Sequence, residues 1–299
     1  MATRDSNVLL SLDRRWIFLL VFLCVVIALL VDFPLPVKAS RPVRDMHAAI
    51  EALAPASPAG QEQALAGDEN APAHKALLVS MDYDPASTPE LEPMSAAVLT
   101  HALCRGVKVV GMTLNQHGQD LGERIIFSAA KTCGAQYGRD FVYLGYKPGD
   151  ATLIINLGQD FHNAYNQDYR GVSTRELAVT RHIESLRDFG YVVSIASTAY
   201  WEFWVIFGQS RYGFSYGTGV TGVMAPDVFP FLQTGQVKGL LGGLVGAAEY
   251  ESLIGRSGPA TAGMRPQSAV HVLIVILVLF GNTVFFVELL RRRRKGGGR

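Results

Sequence analysis

The chain has 299 residues, 49% of them hydrophobic, and its 27 Lys and Arg against 26 Asp and Glu give a formal net charge of +1. That composition is too apolar for a disordered chain, and three cysteines are too few for a disulfide-built scaffold. Between residues 34 and 268 there are 18 basic and 22 acidic residues, a net of −4, so the middle of the chain lacks the positive surface that nucleic acid requires.

The first element is a hydrophobic run, unbroken from Trp16 to Val31. A helix rises about 1.5 Å per residue and needs roughly 20 mainly apolar residues to cross a bilayer. Residues 16–33 approach that length with Asp32 and Phe33 at one interface and Trp16 at the other. The run also has the form of a signal peptide, with Val37-Lys38-Ala39 as a loose cleavage site. The intervening prolines and the distance from the run favour a retained helix behind a short N-terminus, 1–15. Residues 34–74 read as a membrane-proximal amphipathic helix, Arg44 to Leu53, followed by a flexible linker of Ala, Pro, Gly, Gln and Glu from Ala54 to Ala73.

Order resumes at Ala76-Leu77-Leu78-Val79-Ser80-Met81, whose continuous apolarity predicts a strand covered on both faces. Thr88-Pro89-Glu90 then starts a helix to Cys104, because Thr caps free N–H groups, Pro fits the first turn and Glu favours the positive end of the dipole. Val107 to Thr113 follows as strand, Leu121 to Cys133 as helix closed by Gly134, and Phe141 to Tyr146 as strand. Thr180 to Phe189 reads as helix, Tyr191 to Ala196 as strand and Tyr200 to Phe207 as helix. The alternation predicts an α/β domain over 75–255, an open, mainly parallel sheet with helices on both faces.

Towards the end of that domain, Gly239, Gly243 and Ala247 recur every four residues, as do Gly242 and Gly246. On a helix these would form two small-residue stripes, suited to close approach of a partner helix or to packing against the domain's own sheet. Residues 256–268 read as a linker and 269–290 as a second membrane helix, with Asn282 expected to face protein because an amide in hydrocarbon is costly. The tail, 291–299, opens with Arg291-Arg292-Arg293-Arg294-Lys295. Positive residues stay in the cytoplasm, so the sequence predicts a two-pass cell-membrane protein with both termini cytoplasmic and the α/β domain outside.

In open parallel sheets ligands bind beyond the carboxyl ends of the strands, which directs attention to Asp82, Asp84, Glu90 and Glu92, to Asn115 and His117, and to Ser197, Thr198 and Glu202. Asp82 and Asp84 share a face if the backbone stays extended, and with His117 they would hold a hard divalent cation or run acid–base chemistry. Each also has an ordinary local role: Asp84-Pro85 makes a turn and His117 sits in a Gly-containing surface loop. Cys24 lies in the first apolar run; Cys104 and Cys133 match no metal spacing and form either a disulfide or two separate thiols.

An N-terminal membrane helix, a strand ending in Ser80-Met81-Asp82-Tyr83-Asp84-Pro85, a Pro-Glu-Leu helix start and a terminal membrane helix with a basic tail together resemble uncharacterised bacterial membrane proteins. The same arrangement is distantly similar to the extracytoplasmic auxiliary domains of gliding-motility-type ABC transporters, whose fold is related to class I glutamine amidotransferases without the catalytic cysteine. The resemblance implies a non-enzymatic role within a larger membrane assembly and transfers no functional residues. The expected function is therefore that of an accessory or ligand- and partner-binding subunit, with the bilayer and a membrane protein or second copy as partners and no cofactor specified. The alternatives are a membrane-tethered metal-dependent hydrolase or transferase using the carboxylates after the first strand, and a receptor for a small polar solute.

Overall fold

The computed structural model describes residues 13–31, 38–55 and 75–296, which fall into two units, Val37–Ala260 and the terminal segments Met1–Pro36 with Thr261–Arg299. Within the first unit six strands form one parallel sheet: β1 Leu77–Asp82, β2 Val109–Thr113, β3 Phe141–Tyr146, β4 Tyr191–Ala196, β5 Tyr216–Val220 and β6 Leu240–Gly242. Their order is β3-β2-β1-β4-β5-β6. Every residue of β1, β2, β4 and β5 is buried, as continuous apolar runs in a doubly covered sheet require. The expected α/β architecture is present, with β1, β3 and β4 close to the residues read from the sequence.

Helices cover both faces. On one lie α2 Arg41–Glu51, α3 Thr88–Cys104, α4 Gln119–Cys133 and α10 Gly243–Leu253. On the other lie α5 Asp150–Gln159, α6 Phe161–Ala164, α7 Tyr200–Phe203, a π-helix Trp204–Gln209, α8 Ser210–Tyr212 and α9 Ala225–Gln233, around a core that includes Leu78, Val110, Ile154, Phe161, Trp201 and Trp204. Helix α4 ends at Gly134 in the left-handed region, φ 69°, where an L side chain is disfavoured. A disulfide joins Cys104 to Cys133, fastening the C-terminal ends of α3 and α4.

Four expectations are corrected. Thr180–Phe189 is a series of turns, because side chains claim the backbone groups a helix would use: the Thr180 hydroxyl donates to Thr174 O at 2.6 Å, and Asp188 Oδ2 accepts from the Ser185 and Glu184 amides at 2.8 and 3.0 Å. The helix at Tyr200 changes to π geometry at Trp204. Most of the linker expected at 256–268 is helical, since α11 Pro259–Gly296 is one helix; the Gly258 amide before it and the Ala260 amide in its first turn donate to the buried Glu251 carboxylate at 2.9 and 3.0 Å. Helix α2 belongs to the domain unit, with Val43, Met46 and Ile50 buried. Of the linker expected from Ala54 to Ala73, all but its first two residues lie outside the described residues.

One described helix is long and apolar enough to cross a membrane: residues Pro259–Val287 of α11, 29 residues, whose most apolar 18-residue window has mean hydropathy 2.6 and no buried part. Helix α1, Arg14–Leu30, has 17 residues, or about 25 Å at 1.5 Å per residue against a hydrocarbon core of about 30 Å. Its Trp16, Phe18, Phe22 and Leu30 are exposed. Asn282 is exposed on α11.

Candidate functional site

Strand order reverses between β1 and β4, so the crevice beyond their carboxyl ends is where a doubly wound sheet places a ligand. Asp82 closes β1 there, in register with Ala196 of β4. Residues two apart on a strand share a face, and Ser80 and Asp82 accordingly meet, the Ser80 hydroxyl donating to Asp82 Oδ1 at 2.7 Å. The Leu114 amide donates to the same oxygen at 2.6 Å and Trp204 Nε1, from the π-helix, to Oδ2 at 3.3 Å. The side chain is fully buried. Burial pushes its pKa up to about 7; the three hydrogen bonds work against that rise and the nearby Asp150 charge adds to it.

The loops around Asp82 carry further departures from ordinary geometry. Gly149 and Asp150, after β3, start α5 with φ 135° and 39°, and Asp150 is the sole non-glycine residue with positive φ among the described residues. Such a backbone costs about 1–3 kcal/mol and persists only where its surroundings impose it. Ser197, directly after β4, has a buried hydroxyl without a hydrogen-bond partner, and its amide reaches Asp82 O at 3.4 Å. The Tyr200 phenol is raised above its usual range by burial, then by the Asp150 and Asp82 charges. A π-helix is rare and concentrates at functional sites. In dinucleotide-binding sheets of this strand order a glycine-rich turn follows β1, whereas Asp82-Tyr83-Asp84-Pro85 follows it here.

The structure does not bring Asp82, Asp84 and His117 together. Asp84 turns outward and its Oδ1 accepts from the Ala86 and Ser87 amides at 3.0 and 3.2 Å, capping the turn that leads into α3. His117 is exposed in a single 3-10 turn whose cap is Asn115. Among the described residues there is no group of three His, Cys, Asp or Glu side chains arranged to hold a metal ion. Of the other carboxyl-end residues, Glu92 pairs with Arg124 at 2.7 Å and Glu90 accepts from the Gly222 amide at 2.9 Å.

The glycine stripes are likewise replaced. Gly239 and Gly242 belong to β6 and its approach, while Gly243 starts α10 at φ 58°, so no single helix carries them. A Cβ on Gly239 would lie 2.6 Å from Met46 Cβ and 2.8 Å from the Tyr191 hydroxyl. One on Gly242 would lie 3.0 Å from Ala225 Cβ, one on Gly243 3.0 Å from Gly222 Cα and one on Gly246 2.9 Å from the Leu241 backbone. All four glycines therefore have close-packing partners inside their own domain.

Sequence reasoning by the carboxyl-end rule reached Asp82 and Ser197. It missed Trp204 and Asp150, although Lys147-Pro148-Gly149-Asp150 follows a predicted strand and falls under the same rule. Comparison with known proteins finds no matching family model, no matching curated protein and no matching solved structure. Function is therefore inferred from geometry and chemistry.

Proposed function

We propose that this protein is a membrane-anchored, extracytoplasmic α/β domain acting as a non-enzymatic ligand- or partner-binding subunit of a membrane assembly. The observation that carries the non-enzymatic part is the state of Asp82. The carboxyl at the switch point is fully buried and taken up by Ser80, Leu114 and Trp204, so in this reading it tunes the crevice instead of attacking a substrate or ligating a metal. The crevice retains the orphan Ser197 hydroxyl and the strained Asp150, which suit recognition of a small polar molecule.

Two anchors are part of the proposal: α11, by its length and apolarity, and α1, by its unbroken apolar sequence. Both termini are assigned to the cytoplasm. The five basic residues after Leu290 support that orientation, and the Cys104–Cys133 disulfide supports placing the domain in an oxidising compartment. A non-enzymatic role in a larger assembly is also what the likeness to transporter auxiliary domains implies.

The test is purification of the full-length protein from its native membrane in mild detergent, with mass spectrometry of what copurifies and a thermal-shift screen of small polar solutes on the same material. A stoichiometric partner, or a solute that raises the melting temperature, is expected. A solitary monomer stabilised by no solute overturns the reading.

A further inference from the structure

Away from the crevice, α2 is fastened to the domain at both ends. At its start Glu249 Oε2 of α10 accepts from the Ser40 amide at 2.9 Å and the Ser40 hydroxyl at 2.6 Å. At its end Glu51 accepts from His101 Nε2 at 2.9 Å and from Arg105 Nε at 3.1 Å, with Arg105 Nη2 as a further partner. His101 Nδ1 lies 2.7 Å from the Tyr250 hydroxyl of α10, and the His47 ring of α2 stacks on His101 with centroids 4.4 Å apart and planes 11° off parallel. His47, Glu51, His101 and Arg105 border a cavity of about 380 Å³ that Arg256 also lines.

The hydrogen bonds define the proton inventory. A carboxylate only accepts, so His101 Nε2 carries the proton shared with Glu51 and Nδ1 accepts from Tyr250. Both ring nitrogens are satisfied by a neutral imidazole. A second proton would sit on Nδ1, against a buried phenol that must then turn its own proton away, and it would place a cation beside Arg105 and in face contact with His47. A proton on His47 meets the same neighbours from the other side. Among the described residues Glu51 is the one acid facing the pair, and it already serves Arg105.

We propose that the His47–His101 stack is an acid-release clasp: protonating it undocks α2 from α3 and α10, freeing the segment by which the chain enters the domain. Burial holds both imidazoles below their ordinary pKa, with Arg105 adding to the depression and Glu51 opposing it. Glu51 itself stays ionised, because the His101 and Arg105 hydrogen bonds outweigh the effect of burial. With α2 released, His47 and His101 therefore bind protons that the docked state refuses, and docking weakens as pH falls below about 6.5, by up to about tenfold per pH unit for each histidine.

The test is amide hydrogen exchange on the full-length protein in detergent micelles at pH 7.5 and 5.5, corrected for intrinsic rates. Protection over Arg41–Glu51 is expected to fall between about tenfold and a hundredfold, while β4 amides keep theirs. In His47→Gln/His101→Gln the loss should vanish; if that double variant does not fold, His47→Gln alone, which leaves the His101 hydrogen bonds in place, should reduce it. Unchanged α2 protection at pH 5.5, an equal loss in β4, or an undiminished loss in the histidine variants overturns the clasp.

Discussion

The two halves of the sheet are built differently. Strands β1 to β3 are five or six residues long, with α3 and α4 as continuous helices stapled by the Cys104–Cys133 disulfide. Strands β5 and β6 are Tyr-Gly-Thr-Gly-Val and Leu-Leu-Gly, and the helix that follows β4 is broken by a π-helix. In place of aliphatic side chains this half uses glycines as floors for large neighbours. A Cβ on Gly217 would come 2.1 Å from the Tyr191 hydroxyl, and one on Gly219 3.0 Å from Met94 Sδ. It also places a polar trio inside the sheet, Ser194 Oγ lying 2.6 Å from Tyr216 Oη and 3.2 Å from Thr218 Oγ1. The first half is held by burial and a covalent tie, the second by shape and hydrogen bonding, and the crevice lies where they meet.

Removing the covalent tie is the strongest way to break this contrast. The disulfide closes a loop of sequence separation 29, and Cys104→Ala/Cys133→Ala is expected to lower unfolding stability by about 3–4 kcal/mol. Denaturant unfolding in detergent checks it, and a loss below about 1 kcal/mol would mean that the first half is held no differently from the second.

The second half should respond to bulk. Gly217→Ala is expected to cost about 1–3 kcal/mol through overpacking against Tyr191. Tyr191→Phe alone removes a buried hydroxyl that has no partner and should change stability by less than about 1 kcal/mol. Together they should cost less than their sum, since the hydroxyl is the nearest clashing atom. Strict additivity in that double-mutant cycle would remove the shape argument.

A pH response sharpens the view of the crevice at the seam. Asp82 holds its proton up to about pH 7 when folded, against an ordinary aspartate value of 3.8, so between those limits the folded state binds more protons than the unfolded one. Stability should therefore fall as pH rises across that window, by at most about 1.4 kcal/mol per pH unit. Asp82→Asn should abolish this slope and leave the opposite one, the loss on acidification below about pH 6.5 that neutral His47 and His101 contribute. Melting temperatures of the two proteins across pH 4–8 decide the point, and parallel curves would mean that Asp82 does not titrate there.

The same contrast explains what was legible in the sequence. Leu77–Asp82, Phe141–Tyr146 and Tyr191–Ala196 declare themselves because continuous apolar runs bounded by turns have few other uses. Tyr216–Val220 and Leu240–Gly242 do not, since their glycines have a reason only once Tyr191, Met46 and Met94 stand over them. The carboxyl-end rule finds Asp82 but cannot show that it faces inward, because Trp204, its partner, is 122 residues away. The histidine stack is hidden for the same reason: His47 and His101 lie on separate helices, and neither has a local pattern that names the other.

The π-helix reconciles two fixed contacts. Trp204 must face Asp82, while Tyr212 must lie over Gly158, where a Cβ would come 2.0 Å from its ring, and donate to Ile155 O at 2.9 Å. Bonds that close i→i+5 accommodate one more residue per turn than i→i+4 bonds do. The stretch between these two fixed points thus holds a residue in excess, carried as a bulge with Ile206 half exposed. It is the place where the chain can gain or lose a single residue while the sheet on one side and α5 on the other keep their registers.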